Sequence, residues 1–253
     1  GASFRLTGSA AMSVLVGFIA ARAGNFVALR YCLLFALAVA LLVAFGLTAR
    51  YRRTVLSAAI RTVEDAGVSM TEIRYSAWQF RILIAWIACF AAFCVMAAVD
   101  IFIHDDEGFP GVAVLAAALG LVFMSYLGAA ASGRIRRGGV LLSSQGISQR
   151  GWNFESRLDW PDIVGVKPAF NGYPMILAIG YANANWDRRY TTRFCRLDRL
   201  PPVPMIEFDC RRFDVDPRIL YSYVRTYIEN PELRAELGTE AALTRARQSD
   251  FAS

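Results

Sequence analysis

Residues Ile82–Ile103 read ILIAWIACFAAFCVMAAVDIFI, and after HDDEGFP (His104–Pro110) the chain continues GVAVLAAALGLVFMSYLGAAAS over Gly111–Ser132. Each run is long enough to cross a hydrocarbon core of about 30 Å as a helix. Asp100 is the one ionisable group in either run, and the second is uncharged and rich in Ala and Gly. The short segment between them has room for a turn only, so the two runs form a hairpin. Upstream, Tyr31–Ala49 adds a further stretch without a charge. The pattern predicts three membrane-spanning helices at about 31–49, 82–103 and 111–132.

Composition agrees with this reading. Hydrophobic residues make up 56% and charged residues 19% of the 253, with a mean hydropathy of +0.38. These values argue against a purely water-soluble protein. The net charge is +6, and the division at Gly138 locates it: 12 basic against 7 acidic residues before that point, 15 against 14 from there on. A basic excess confined to the apolar half sets membrane orientation rather than nucleic-acid binding, so no nucleic-acid partner is expected. Lys167 is the single lysine, so the abundance of Arg is a habit of the whole chain and not in itself a phosphate signal.

Arg50, Arg52 and Arg53 follow the first run, Arg74 and Arg81 precede the second, and Arg134, Arg136 and Arg137 follow the third. The hairpin turn instead holds Asp105, Asp106 and Glu107. The positive-inside rule places 50–81 and everything after 133 in the cytoplasm, which describes a multi-pass protein of the inner or plasma membrane. Residues 1–30 contain an apolar run, Ala10–Ala21, too short for a comfortable crossing; an interfacial or re-entrant segment is favoured over a fourth span. In the 50–81 connection, Leu56, Ala59, Ile60 and Val63 recur at helical spacing up to Gly67, and Ser69 with Glu72 reads as a capping box. The expectation there is a helical hairpin.

Arg134–Gly139 is a basic, Gly-ended linker, after which the pattern changes. Val140–Ser143, Gly146–Arg150, Phe154–Trp160, Ile163–Pro168, Met175–Tyr181, Arg189–Leu197 and Met205–Phe208 are short strand-favouring runs separated by turn residues. Asp216 as N-cap and Pro217 at the first helical position then open a helix with Leu220, Tyr223, Val224 and Tyr227 on one face. The predicted class is α+β: a helical membrane region, then an antiparallel sandwich or barrel over 140–229 closed by one helix, and a helical tail over 230–253. Seven strands followed by one helix resemble the pleckstrin-homology-like domain. So do Leu141-Leu142-Ser143-Ser144-Gln145-Gly146-Ile147 and Leu158-Asp159-Trp160-Pro161-Asp162-Ile163, which look like the "strand, turn-Gly-Ile" and "Trp-x-Asp-Ile" patterns of bacterial members attached to membrane spans. Phosphoinositide-binding members present a Lys/Arg cluster on the first hairpin, whereas here Arg150 and Arg157 stand with Glu155 and Asp159 nearby. The tail Asn230-Pro231-Glu232-Leu233-Arg234-Ala235-Glu236-Leu237-Gly238-Thr239 resembles the end of actinobacterial membrane proteins of this type. Some of those act as accessory subunits of Mce-family lipid importers, which implies a partner-binding role.

Candidate chemistry is sparse. No Gly-rich phosphate loop, nucleophile elbow or Ser/His/Asp arrangement is present, and the single His leaves one possible centre for histidine chemistry. The five cysteines form no CxxC pair; Cys195 and Cys210 fall in neighbouring strand regions and a disulfide between them is not expected in the cytoplasm. His104–Glu107 reads as a solvated acidic turn rather than a metal site, and no metal or cofactor is expected. Asp100 is an intramembrane polar candidate by default. Trp186, Arg188, Arg189, Arg193 and Arg196 form the densest basic and aromatic cluster, with Arg189 and Arg193 on one strand face and Arg188 and Arg196 on the other. That cluster is the candidate surface for a protein partner or for membrane lipid. The sequence thus predicts a non-enzymatic accessory subunit of an envelope assembly, with a membrane-anchored sensor of anionic headgroups as the alternative.

Overall fold

The computed structural model describes residues 22, 26–51, 54–65, 67–104, 110–192, 198 and 200–248. The expected amino-terminal interfacial segment, the acidic turn after His104, and Arg193, Cys195 and Arg196 lie outside the described residues. The chain divides into two compact units, one of 1–48 with 78–133 and one of 49–77 with 134–253.

The first unit holds three helices long and apolar enough to cross a membrane: α1 (Phe26–Tyr51), α3 (Ala77–His104) and α4 (Pro110–Ala131). At 1.5 Å per residue even the shortest is about 33 Å long. Apolar residues surround each helix instead of forming a stripe, which suits a lipid environment on most sides. α1 and α3 run antiparallel: Leu41, Leu42 and Phe45 meet Ile82, Leu83 and Trp86 toward one end, while Tyr31 stacks edge-on against Phe93 at 5.4 Å nearer the other. In the third helix, Gly120 lies against Cys94 and Val95 of α3, where an added Cβ would be crowded. The two helices thus approach closely at a residue without a side chain.

The second unit corrects the reading of the 50–81 connection. Between the ends of α1 and α3, Leu56–Ala59 is the one helical piece among the described residues (α2); Ile60–Asp65 is strand β1 and Val68–Arg74 is strand β2, paired antiparallel. Gly67 takes a φ of +79 in the turn, a conformation that glycine adopts without steric cost. β2 then pairs with β3 (Gly139–Leu142), so Arg74 stands opposite Gly139 although two apolar helices separate them in sequence. The strand β3 continues into β4 (Gly146–Arg150) and β5 (Phe154–Asp159), and β5 pairs with β8 (Asp187–Tyr190). The result is a six-stranded sheet in the order β1-β2-β3-β4-β5-β8. A second sheet has the order β6-β7-β9, from Ile163–Phe170, Pro174–Gly180 and Met205–Asp209.

The core explains why these segments pair. Ile73, Val140, Leu142, Ile147 and Leu158 point inward from the first sheet, and Ile176, Ala178, Ile206 and Phe208 are buried in the second. Helix α5 (Pro217–Glu229) packs on β6 and β7 and buries Leu220, Tyr223, Val224 and Tyr227, the face expected from sequence. Asp216 caps it by accepting the Arg218 N–H at 2.8 Å. Each large apolar side chain so buried contributes about 1.5–3 kcal/mol.

The two patterns quoted from the first half of this unit meet in space. Trp160 opens a 3-10 turn between the sheets and donates its indole N–H to Ser143 O at 2.8 Å, while Ser143 Oγ accepts the N–H of Gly146 at 3.2 Å. The linker at 134–139 is anchored: Ile135 is buried, Arg136 N donates to Trp152 O, and Arg137 Nε donates to Tyr75 O at 2.5 Å. The tail is likewise integral. Pro231–Glu236 is a 3-10 helix, α6 spans Glu240–Gln248, and α6 packs on α2 and β1 with Ala242 and Ala246 buried.

Candidate functional site

Asp100 is the first sequence candidate to find partners. Arg30 and Tyr31, at the start of α1, both donate to Asp100 Oδ2, the phenol at 2.5 Å. Two helices running antiparallel bring the beginning of one beside the end of the other, so a basic residue flanking the first apolar run meets the acidic residue near the end of the second. A carboxylate held this way joins α1 to α3 and has its charge matched within an otherwise apolar pair of helices, where an unpaired one would be costly. Arg30 went unread in the sequence because it borders the uncharged run; the complementary charges at matching ends of two antiparallel spans were the available signal.

The basic and aromatic cluster is divided by the fold. Arg189 points to the outer face of the six-stranded sheet and holds Glu155 at 2.6 and 2.8 Å. Arg188 takes the opposite side, stacked over Trp186 at 4.5 Å, and Trp186 Nε1 donates to Ser156 Oγ at 2.7 Å. Trp186 and Arg188 therefore stay together, Arg189 is separated from them, and Arg193 and Arg196 lie outside the described residues.

Near the meeting of the two sheets is a network that the sequence did not announce. Asp198 accepts the Trp152 N–H at 3.0 Å and the Arg212 guanidinium at 2.7 and 2.5 Å, and its side chain is 2% exposed. Arg212 lies over the rings of Trp152 and Tyr75, at 4.8 and 5.7 Å. Burial alone would lower the pKa of this guanidinium; the hydrogen bonds and charge of Asp198 more than reverse that and hold it above its ordinary value. Burial pushes the Tyr75 phenol up to about 12, and Gln149 Nε2 donates to its oxygen at 3.0 Å. A small cleft of about 220 Å³ opens here, with Glu207 on its wall. Burial, and then the charge of Asp209, raise the pKa of the Glu207 carboxyl.

A trough of about 790 Å³ lies on the outer face of the six-stranded sheet. Register sets its side chains in rows. Arg74, Gly139, Arg150, Glu155 and Arg189 stand opposite one another in one row. Arg61, Glu72, Leu141, Ser148, Arg157 and Asp187 form the next. Glu72 serves Arg61 and, at 3.7 Å, Arg74; Glu155 serves Arg150 at 3.4 Å and Arg189 at 2.6 Å. Cross-strand pairs of opposite charge support the sheet as well as decorate it. Arg136 and Arg137 line the same trough from the segment preceding β3.

Among the described residues, no group of three or more His, Cys, Asp or Glu side chains is arranged to hold a metal ion. Comparison of the chain with protein-family models, with curated proteins and with solved structures finds no match.

Proposed function

We propose that the chain is a non-catalytic accessory subunit of a larger cell-envelope assembly, anchored in the inner or plasma membrane by its apolar helices and presenting the β unit to partner subunits in the cytoplasm. The observation that carries this reading is the trough. Its carboxylates Glu72 and Glu155 are each engaged by two guanidinium groups, an arrangement suited to docking rather than to proton transfer. The arginines that follow the first and third runs and precede the second support the cytoplasmic placement. Strands β3–β9 followed by α5 support a pleckstrin-homology-like reading of the unit, extended by β1 and β2. The resemblance over Asn230–Thr239 makes Mce-type lipid or fatty-acid import the assembly to examine first. These tail residues also have local work to do: Arg234 donates to Tyr227 O and Ile228 O at the end of α5 and stacks over Trp160.

The experiment is purification of the tagged full chain in mild detergent, followed by mass spectrometry of what accompanies it. Recovery of a fixed set of membrane or envelope proteins supports the reading; recovery of the chain alone across detergents and salt concentrations overturns it. Membrane lipids are the other expected partners.

A further inference from the structure

The two rows of the trough differ in charge. In the second row Arg61 and Arg157 are balanced by Glu72 and Asp187. In the first, Glu155 is the one carboxylate of the row for Arg74, Arg150 and Arg189, Glu72 of the second row reaching Arg74 at 3.7 Å, and Arg136 and Arg137 add to the positive side. The cationic excess of the face is thus gathered at one end of the strands. That end is where the chain leaves for α3 and returns from α4: β2 ends at Arg74, α3 begins at Ala77, α4 ends at Ala131 and β3 begins at Gly139. At no more than about 3.6 Å per residue, Arg74, Arg136 and Arg137 cannot lie farther than roughly 20 Å from the ends of the apolar helices. Whatever the orientation of the unit, these side chains are tethered near a bilayer surface.

We propose that Arg74 and Arg150, with the adjoining Arg136 and Arg137, form a docking site for the phosphate groups of anionic membrane lipids. A guanidinium offers a planar fork of donors that matches phosphate oxygens two at a time. Arg136 is exposed and enters no ion pair among the described residues, and the carboxylates nearest Arg74 and Arg150 stand off at 3.7 and 3.4 Å, leaving donors available. Gly139, between Arg74 and Arg150 in the row, places no side chain between them, and a Cβ there would collide with the Ile73 carbonyl. Burial, with the like charge of Arg74, holds the Arg137 guanidinium below its ordinary pKa, so an incoming anion relieves repulsion already present.

The test uses the full chain in nanodiscs of phosphatidylcholine containing 30% phosphatidylglycerol, released into detergent, with retained lipids counted by native mass spectrometry. The unaltered chain is expected to retain phosphatidylglycerol several-fold over phosphatidylcholine. R136Q and R74Q/R136Q should lower that preference at least threefold, while R136K and R157Q, the latter in the balanced row, should keep it. Should the double variant fail to fold, R136Q alone decides, because that side chain is exposed and unpaired. An unchanged preference in R136Q, or an equal loss in R157Q, overturns the proposal. Displacement of the lipid by millimolar inorganic phosphate would overturn it in favour of a soluble phosphate ligand. An acidic protein that co-purifies through Arg136 without any lipid preference would overturn it in favour of a protein ligand. The inference goes beyond the accessory-subunit reading: a chain that retains anionic lipid but captures no partner upholds this proposal and overturns that one.

Discussion

Asp198 accepts the Trp152 N–H and the guanidinium of Arg212 from a position that is 2% exposed, so its removal strands a cation between two aromatic rings. Breaking one partner of such a buried pair costs about 3–5 kcal/mol. D198A is therefore expected to lower the apparent Tm of the detergent-purified protein sharply, and D198N less, since the amide keeps the shape and one acceptor. Glu207 gives the opposite sign. Its carboxyl pKa is raised in the folded protein by burial and then by Asp209, so the folded state favours the protonated form. Stability from this group is present below the unfolded carboxyl pKa and is lost as pH rises through the folded value. E207Q should then melt higher than the unaltered protein at pH 8, with the gain vanishing toward pH 4; a thermal-melt series across that range reads it. Neither residue was legible in the sequence. Asp198 stands in the sequence between Arg196 and Arg199, and nothing local tells a surface Asp from one whose partner, Arg212, arrives only after an intervening strand.

The β1–β2 hairpin shows the same limit for a whole element. Leu56, Ala59, Ile60 and Val63 do recur at helical spacing, and Ser69-x-x-Glu72 does match a capping box, yet only Leu56–Ala59 is helical. The competing signal was weak: Thr62, Val63, Val68, Thr71 and Ile73 favour strands, but what holds β2 is its pairing with β3 beyond the intervening helices. Elements whose partners are neighbours in sequence were legible, including α5 with its cap and buried face, and the turns around Ser143 and Trp160. The tail rests on the unread hairpin. Gly238, at a φ of +85, lies so close to Ser69 that a Cβ would collide with its carbonyl, and its N–H donates to Thr71 Oγ1 at 2.9 Å. Farther along, Glu236 accepts from Tyr227 and Arg245 at 2.9 and 2.6 Å. T71V keeps the volume but leaves the buried Gly238 N–H without an acceptor, at a cost of about 1–3 kcal/mol. Its expected signature is faster hydrogen exchange across 238–248 with little change in α5; uniform acceleration of both would point to global destabilisation instead.

Because β2 pairs with β3, residues 60–74 and 139–142 occupy the same side of any membrane the helices cross, so α3 and α4 together make an out-and-back passage. The positive-inside pattern reaches the same arrangement independently, and a cysteine placed at Arg61 or Val203 should react with an impermeant maleimide from one side only, one at Asp106 from the other. The pairing also redraws the domain. A unit starting near residue 138, as the change in sequence pattern suggests, would lack Ile73 and Tyr75 from its core, expose the edge of β3, and leave the tail without Ser69 and Thr71 to pack on. Ile73 alone accounts for about 1.5–3 kcal/mol of burial, and an open apolar edge invites association. Yet Arg74 and Gly139 are cross-strand neighbours, so the helical hairpin is an insertion whose ends emerge side by side from the sheet. A chain in which Thr54–Ser76 is joined by a flexible Gly/Ser segment to Arg134–Gln248 is therefore expected to be soluble, monomeric and cooperative in melting, with a β-rich circular dichroism spectrum. The chain from Arg134 alone should aggregate or melt many degrees lower. Equal stability of the two would show that β1 and β2 are accessory to the β unit rather than part of it, and would return the boundary to the place where the composition changes.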